Sequence, residues 1–154
     1  MGYTTNFTGK FNINPPLSAE DNEFLTNFSY SRRVARKVDS KYGVEGEWYV
    51  GKDHIFNQEQ NVIDYNRPPS TQPGLWCQWI PDEDGASLAW DGGEKFYNYI
   101  QWLEYLIEKY FKPRNYILNG EVYWNGEDTD DRGVIKVINN QIKIGVAKTT
   151  YNFD

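Results

Sequence analysis

Residues 3 to 13 alternate without a break: Tyr3, Thr5, Phe7, Gly9, Phe11 and Ile13 on one side, Thr4, Asn6, Thr8, Lys10 and Asn12 on the other. A period of two sends the two sets to opposite faces of a strand, so the pattern predicts a half-buried strand with Gly9 as a bend or bulge. Pro15 and Pro16 end it. Ser18, with Asp21 three residues on, then supplies a helix N-cap and an acidic first turn. If that helix runs to about Val38, Phe24, Phe28, Ala35 and Val38 share one side and Arg33, Arg36 and Lys37 lie away from it. The Ser29-Tyr30-Ser31 interior works against an unbroken helix, because serine competes for backbone hydrogen bonds. Gly43 or Gly46 closes the segment, and Glu47 to Val50 reads as a short strand. From Gly51 to Gly74 only Val62 and Ile63 carry regular signal, so this is a long loop, either functional or a partly ordered connector.

The stretch from Leu75 to Phe111 is the organising unit of the chain. Leu75, Cys77 and Trp79 alternate with Trp76 and Gln78, Pro81 to Gly85 reads as an acidic turn, and Ser87 to Trp90 returns as the second strand of a hairpin. A helix is expected from near Glu94, with Asp91 and Glu94 at capping-box spacing. Phe96, Tyr99, Ile100, Leu103, Leu106, Ile107 and Tyr110 recur at intervals of three and four and form one stripe. Asn98, Gln101, Glu104, Tyr105 and Glu108 fall mostly on the other side. Pro113 stops the helix, and Lys109 and Lys112 suit its negative end.

Alternation returns from Tyr116 to Trp124, followed by a turn signal at Asn125-Gly126 and an acidic loop from Glu127 to Gly133. Ile135 and Val137 then meet a two-residue turn, Asn139-Asn140, before Ile142, Ile144 and Val146. Pairing Val137 with Ile142 and Ile135 with Ile144 keeps the apolar side chains on one face. The order is β-α-β-β-β-α-β-β-β, which predicts an α+β fold with two principal helices packed on one face of a mixed or antiparallel sheet. A ferredoxin-like arrangement with added C-terminal strands is a candidate, because a β-α-β-β-α-β path runs through the major elements. Nothing marks an internal repeat or a linker, so residues 1–154 are expected to form one domain.

Composition narrows the functional classes. Aromatic residues make up 17% of the chain, which favours a folded domain over a disordered tail. Sixteen Lys and Arg against twenty-two Asp and Glu leave a formal net charge of -6, and so no general attraction to nucleic acid. No apolar run approaches the roughly 20 residues of a membrane span, and no signal segment opens the chain. With one cysteine, Cys77, a cytoplasmic setting is the expectation.

The Pro73–Trp79 segment, the Trp90–Tyr97 segment and the run from Leu118 to Asp128 together resemble a group of small, mostly uncharacterised proteins encoded by bacteria and their phages. The resemblance extends over nearly the whole chain, including the Phe7–Phe11 strand. It implies a bacterial or phage accessory protein and carries no catalytic constellation with it.

Several residue sets bear on chemistry. Cys77 sits in an alternating strand and reads as core rather than nucleophile, which would need an activating environment. His54, the sole histidine, has no sequence signal that pairs it with Cys77. Glu94, Glu121 and Glu127 are candidates for acid and base work, which requires convergence in distinct environments. Asp128, Asp130 and Asp131 are candidates for a divalent ion: the run begins like a calcium loop with Gly133 at the sixth position, but Arg132 and Asn139 occupy ligand positions. No cofactor is otherwise expected. Arg32, Arg33, Arg36, Lys37 and Lys41 form a basic cluster, a solvated helix face or a contact for phosphate, nucleic acid or an acidic protein. The tryptophans either close the core or form an interface, and Trp76 exposed beside Trp48 or Tyr123 would make a binding patch.

These readings rank a non-enzymatic protein-interaction module first, with Trp76, Trp48, Tyr123, Arg33 and Arg36 as interaction residues and a protein as partner. A carboxylate-dependent hydrolase and a phosphate- or nucleotide-binding protein are the alternatives. The oligomeric state leaves no mark in the sequence.

Overall fold

The alternating N-terminal segment forms strand β1 (Thr5–Asn14), with Thr5, Phe7, Phe11 and Ile13 buried. The computed structural model describes residues 2–50 and 61–154. After β1 come helix α1 (Ala19–Tyr30), strand β2 (Ala35–Arg36), strand β3 (Val62–Asp64), strand β4 (Trp79–Pro81), strand β5 (Ser87–Trp90), helix α2 (Tyr99–Leu106), strand β6 (Ile117–Gly126), strand β7 (Arg132–Ile138) and strand β8 (Gln141–Val146).

Six strands form one sheet in the order β4-β5-β1-β6-β7-β8, with β2 and β3 a separate pair. Every neighbouring pair in the large sheet is antiparallel. Thus β1 and β4 run the same way with β5 between them, β5 and β6 run the same way with β1 between them, and each helix lies within one of those connections. The β1–β6 pairing is the longest in the sheet, from Thr5 opposite Gly126 to Asn14 opposite Ile117. In its middle, Gly9 and Gly120 adopt φ +112° and φ +150°, and a Cβ on either would sit 2.4 or 2.5 Å from a carbonyl oxygen of the facing strand. Only glycine allows the two backbones that approach and that conformation.

One face of the sheet is covered. Phe7, Phe11, Ile13, Leu88, Leu118, Val122, Ile135 and Val137 meet Leu25 and Phe28 of α1 and Trp102, Leu103 and Leu106 of α2 in a single core. Each such side chain contributes about 1.5–3 kcal/mol by leaving water. The alternate positions of β1, β6, β7 and β8 are mainly exposed.

Most expected elements are found, and the differences have local causes. Ser18 caps α1, its Oγ accepting from the Asp21 N–H at 3.1 Å. The helix stops at Tyr30, however, because Ser31 turns extended and its Oγ donates to the Asn27 carbonyl at 2.7 Å. Arg33 and Arg36 therefore lie on no helix face. Glu47 to Val50 is not a strand but follows a short 3-10 turn, Val44–Gly46. α2 begins at Tyr99 rather than near Glu94, since Asn98 takes a left-handed conformation at φ 60°, and Asp91 Oδ1 accepts from the Gly93 N–H instead of completing a capping box. The helix continues through a π turn, Ile107–Phe111, and a 3-10 turn containing Pro113. β6 runs on through Asn125 and Gly126, so the turn comes after them. The β7–β8 register is the one expected, with Val137 opposite Ile142 and Ile135 opposite Ile144.

Candidate functional site

A cavity of about 500 Å³ lies between two walls, one formed by Asn66, Pro68 and Pro73–Trp76, the other by Glu94, Lys95, Tyr97 and Asn98. Both walls are irregular backbone, and polar side chains tie them together. Asn98 Nδ2 donates to the Pro73 carbonyl at 2.8 Å and Gln78 Nε2 donates to the Glu94 carbonyl at 2.9 Å. Trp90 Nε1 donates to the Gly93 carbonyl at 3.0 Å, and the Arg33 N–H holds the Leu75 carbonyl at 2.7 Å. Gly74 lies between Asn98 and Trp102: a Cβ there would be 3.5 Å from Trp102 Nε1, a buried donor without a partner among the described residues.

Trp76 and Tyr97 are 40% and 53% exposed, in a chain whose other tryptophans are mostly packed away. The side chains of Asn66, Trp76, Glu94, Lys95 and Tyr97 have no hydrogen-bond, ion-pair or ring partner among the described residues. Trp79, Trp90 and Trp124 instead spend their indole N–H groups on Tyr99, Gly93 and Asp131. Lys95 and Asn98, either side of Tyr97, both have φ +60°. For lysine this conformation costs on the order of 1 kcal/mol, held by the surrounding structure. The cleft therefore offers two aromatic surfaces, an indole N–H, a phenol, a carboxylate, an ammonium and an amide, all uncommitted among the described residues.

The other predicted residues lie elsewhere. Trp48 is half-buried against Phe24, Phe28, Tyr105 and Tyr110, not beside Trp76. Tyr123 is on the open face of the sheet, its hydroxyl donating to Glu121 Oε2 at 2.9 Å. Arg33 and Arg36 are 2% and 4% exposed. Arg33 Nη2 donates to the carbonyls of Glu47 and Tyr49 at 2.9 and 2.8 Å, and its guanidinium lies 4.2 Å from the Phe28 ring centre. Burial, with the Arg36 charge nearby, holds that guanidinium well below its ordinary pKa. The basic cluster is thus partly an internal scaffold, which a helical reading of residues 19–38 hides.

Glu121 pairs with Lys136 at 3.6 Å on the open face, Glu127 follows β6, and neither lines the cleft that holds Glu94. Asp131 accepts from Tyr3 Oη at 2.8 Å and Trp124 Nε1 at 2.9 Å, a structural role. Asp128 offers its backbone N–H to Tyr3 Oη at 3.0 Å, and Asp130 is exposed. Among the described residues no group of three His, Cys, Asp or Glu is placed to hold a metal ion. Burial pushes the Cys77 thiol up to about 12, so it is not a thiolate near neutral pH. His54 lies outside the described residues.

Glu47 escaped the sequence reading: a 7% exposed carboxylate whose Oε1 accepts from Tyr105 Oη at 2.6 Å and Thr71 Oγ1 at 2.9 Å. Tyr97 and Lys95 were missed as well, because a helix starting at Glu94 absorbs them. No family model, curated protein or solved structure matches the chain. No helix among the described residues is long and apolar enough to cross a membrane.

Proposed function

We propose that this chain is a non-enzymatic protein-interaction module that holds an extended peptide segment of its partner in the Trp76–Tyr97 cleft. One observation carries the reading: the exposed, polar-tipped aromatics of the cleft and their charged neighbours have no side-chain partner among the described residues, whereas Trp79, Trp90 and Trp124 bond their indole N–H groups. Tryptophan and tyrosine are the side chains that most often anchor a partner, giving a large contact area with a hydrogen-bonding tip. The unbonded acid and base at the rim, Glu94 and Lys95, suit a peptide carrying both charges.

The resemblance of the cleft's own segments to small bacterial and phage proteins supports an accessory protein of that origin, working in the cytoplasm. A ferredoxin-like core is supported by the strand order β4-β5-β1-β6 with a helix in each crossover, to which β7 and β8 are added.

Selection from a random peptide library against the purified chain tests the reading. Enriched peptides are expected to share an apolar anchor and to bind about 30-fold more weakly to Trp76→Ala, the size of a hot-spot loss of roughly 2 kcal/mol. Peptides that bind Trp76→Ala and Tyr97→Ala as tightly as the unaltered chain would remove the cleft from the account.

A further inference from the structure

The face of the sheet that the described residues leave open has its own chemistry, independent of the cleft. Lys10, Glu121, Lys136 and Lys143 are successive register partners across β1, β6, β7 and β8, so they form one row on that face. At strand spacing the row is roughly 14 Å long. Arg132 lies on the same face of β7. Four cations thus face one carboxylate on these strands, in a chain whose formal net charge is -6. Lys136 and Lys143 stand directly opposite one another, a like-charge pair that costs stability unless an anion lies across it. Glu121 offsets this only weakly, since the 3.6 Å pair has side chains 50% and 41% exposed.

Beside the row, Thr8, Tyr123 and Val134 are again register partners, and Tyr123 is 54% exposed. Asn6, Asn12, Asn125 and Gln141 occupy exposed positions on the same face, groups that both donate and accept hydrogen bonds. A line of cations for phosphates, an open aromatic ring for stacking and amides for base edges together fit one kind of ligand. We propose that this face binds single-stranded nucleic acid, with phosphates along Lys10, Lys136 and Lys143 and a base on Tyr123. A second copy of the chain is the wrong occupant, because face-to-face packing would set one lysine row against another.

Fluorescence anisotropy with labelled 12-nucleotide oligo(dT) and oligo(U) tests this. Saturable binding is expected at 50 mM salt, weakening by about 20-fold at 200 mM, as three neutralised phosphates on a single strand would give. The double variant Lys136→Gln, Lys143→Gln should bind at least about 10-fold more weakly with a shallower salt dependence. An unchanged thermal melt for that variant shows that the loss is local. Tyr123→Ala should weaken binding by about 5-fold or more, the lower range for one stacked base. No saturable binding at 50 mM salt, equal affinity for poly-glutamate, or an equal loss in the distant Lys112→Gln variant would each overturn the proposal.

Discussion

Tyr105 shows what a single hydroxyl can hold in place. The interval pattern of α2 puts it away from the apolar stripe, yet it is 7% exposed, because its partner, Glu47, comes from far upstream. Its Oη donates to Glu47 Oε1 at 2.6 Å and accepts from Gln72 Nε2 at 3.1 Å. Burial and then the neighbouring carboxylate push the phenol far above its ordinary pKa, so it remains a donor at any working pH. Tyr105→Phe should lower unfolding stability by about 1–3 kcal/mol, the cost of an under-satisfied buried carboxylate. An unchanged denaturant midpoint would show that water or another group replaces the hydroxyl. Asp21 offers a pH test. Partial burial raises its pKa, but bonds from Tyr110 Oη at 2.6 Å and Tyr116 Oη at 2.5 Å outweigh that and leave it below the usual value. A carboxyl depressed on folding stabilises above its unfolded pKa and ceases to as the pH falls through its folded one. The deficit of Asp21→Asn should therefore be largest near pH 7 and shrink below about pH 4. Thermal melts across that range check it, and a constant deficit down to pH 2.5 would go against the assignment.

Local pattern predicts a strand where one of its faces is buried and the other open. β1 and the β7–β8 hairpin satisfy that condition, and alternation alone located the strands and the hairpin register. α1 and the approach to α2 do not. Their ends are set by the Ser31 side chain and by left-handed Asn98, single-residue choices that periodicity does not report. The hairpin turn joins the two cases. Asn139 and Asn140 have φ 47° and 69°, as a two-residue turn demands. Turn chemistry alone favours glycine at the second position. But Asn140 Oδ1 accepts from the Leu118 N–H at 2.7 Å and its Nδ2 donates to the Tyr116 carbonyl at 2.9 Å, pinning the turn to β6. Asn140→Gly should thus cost about 1–2 kcal/mol by losing both bonds, while Asn139→Gly stays within about 0.5 kcal/mol of the unaltered chain. Equal stabilities for the two variants would mean that backbone preference, not the tie to β6, governs the turn.

At the scale of the molecule, a sheet with helices on one side leaves, among the described residues, an open strand face and a cleft where the irregular connections meet, the surfaces to which the two proposals assign recognition. The α+β architecture with two helices was legible because strand and helix periods alternate along the chain. The cleft was legible only as an exposed Trp76 and a candidate Glu94. Its walls are two irregular connections, and the contacts that hold them, Gln78 to Glu94 and Asn98 to Pro73, join residues sixteen and twenty-five positions apart. The hydrolase expectation depended on Glu94 meeting Glu121, and strand register sends Glu121 to the open face with Lys136 instead. The most direct test of the cleft is NMR of ¹⁵N-labelled protein titrated with the tightest selected peptide. The account predicts that the Trp76 indole N–H and the backbone amides of residues 74–78 and 94–98 shift while those of β7 and β8 stay still. Shifts centred on the sheet face, with Trp76 unmoved, would contradict it.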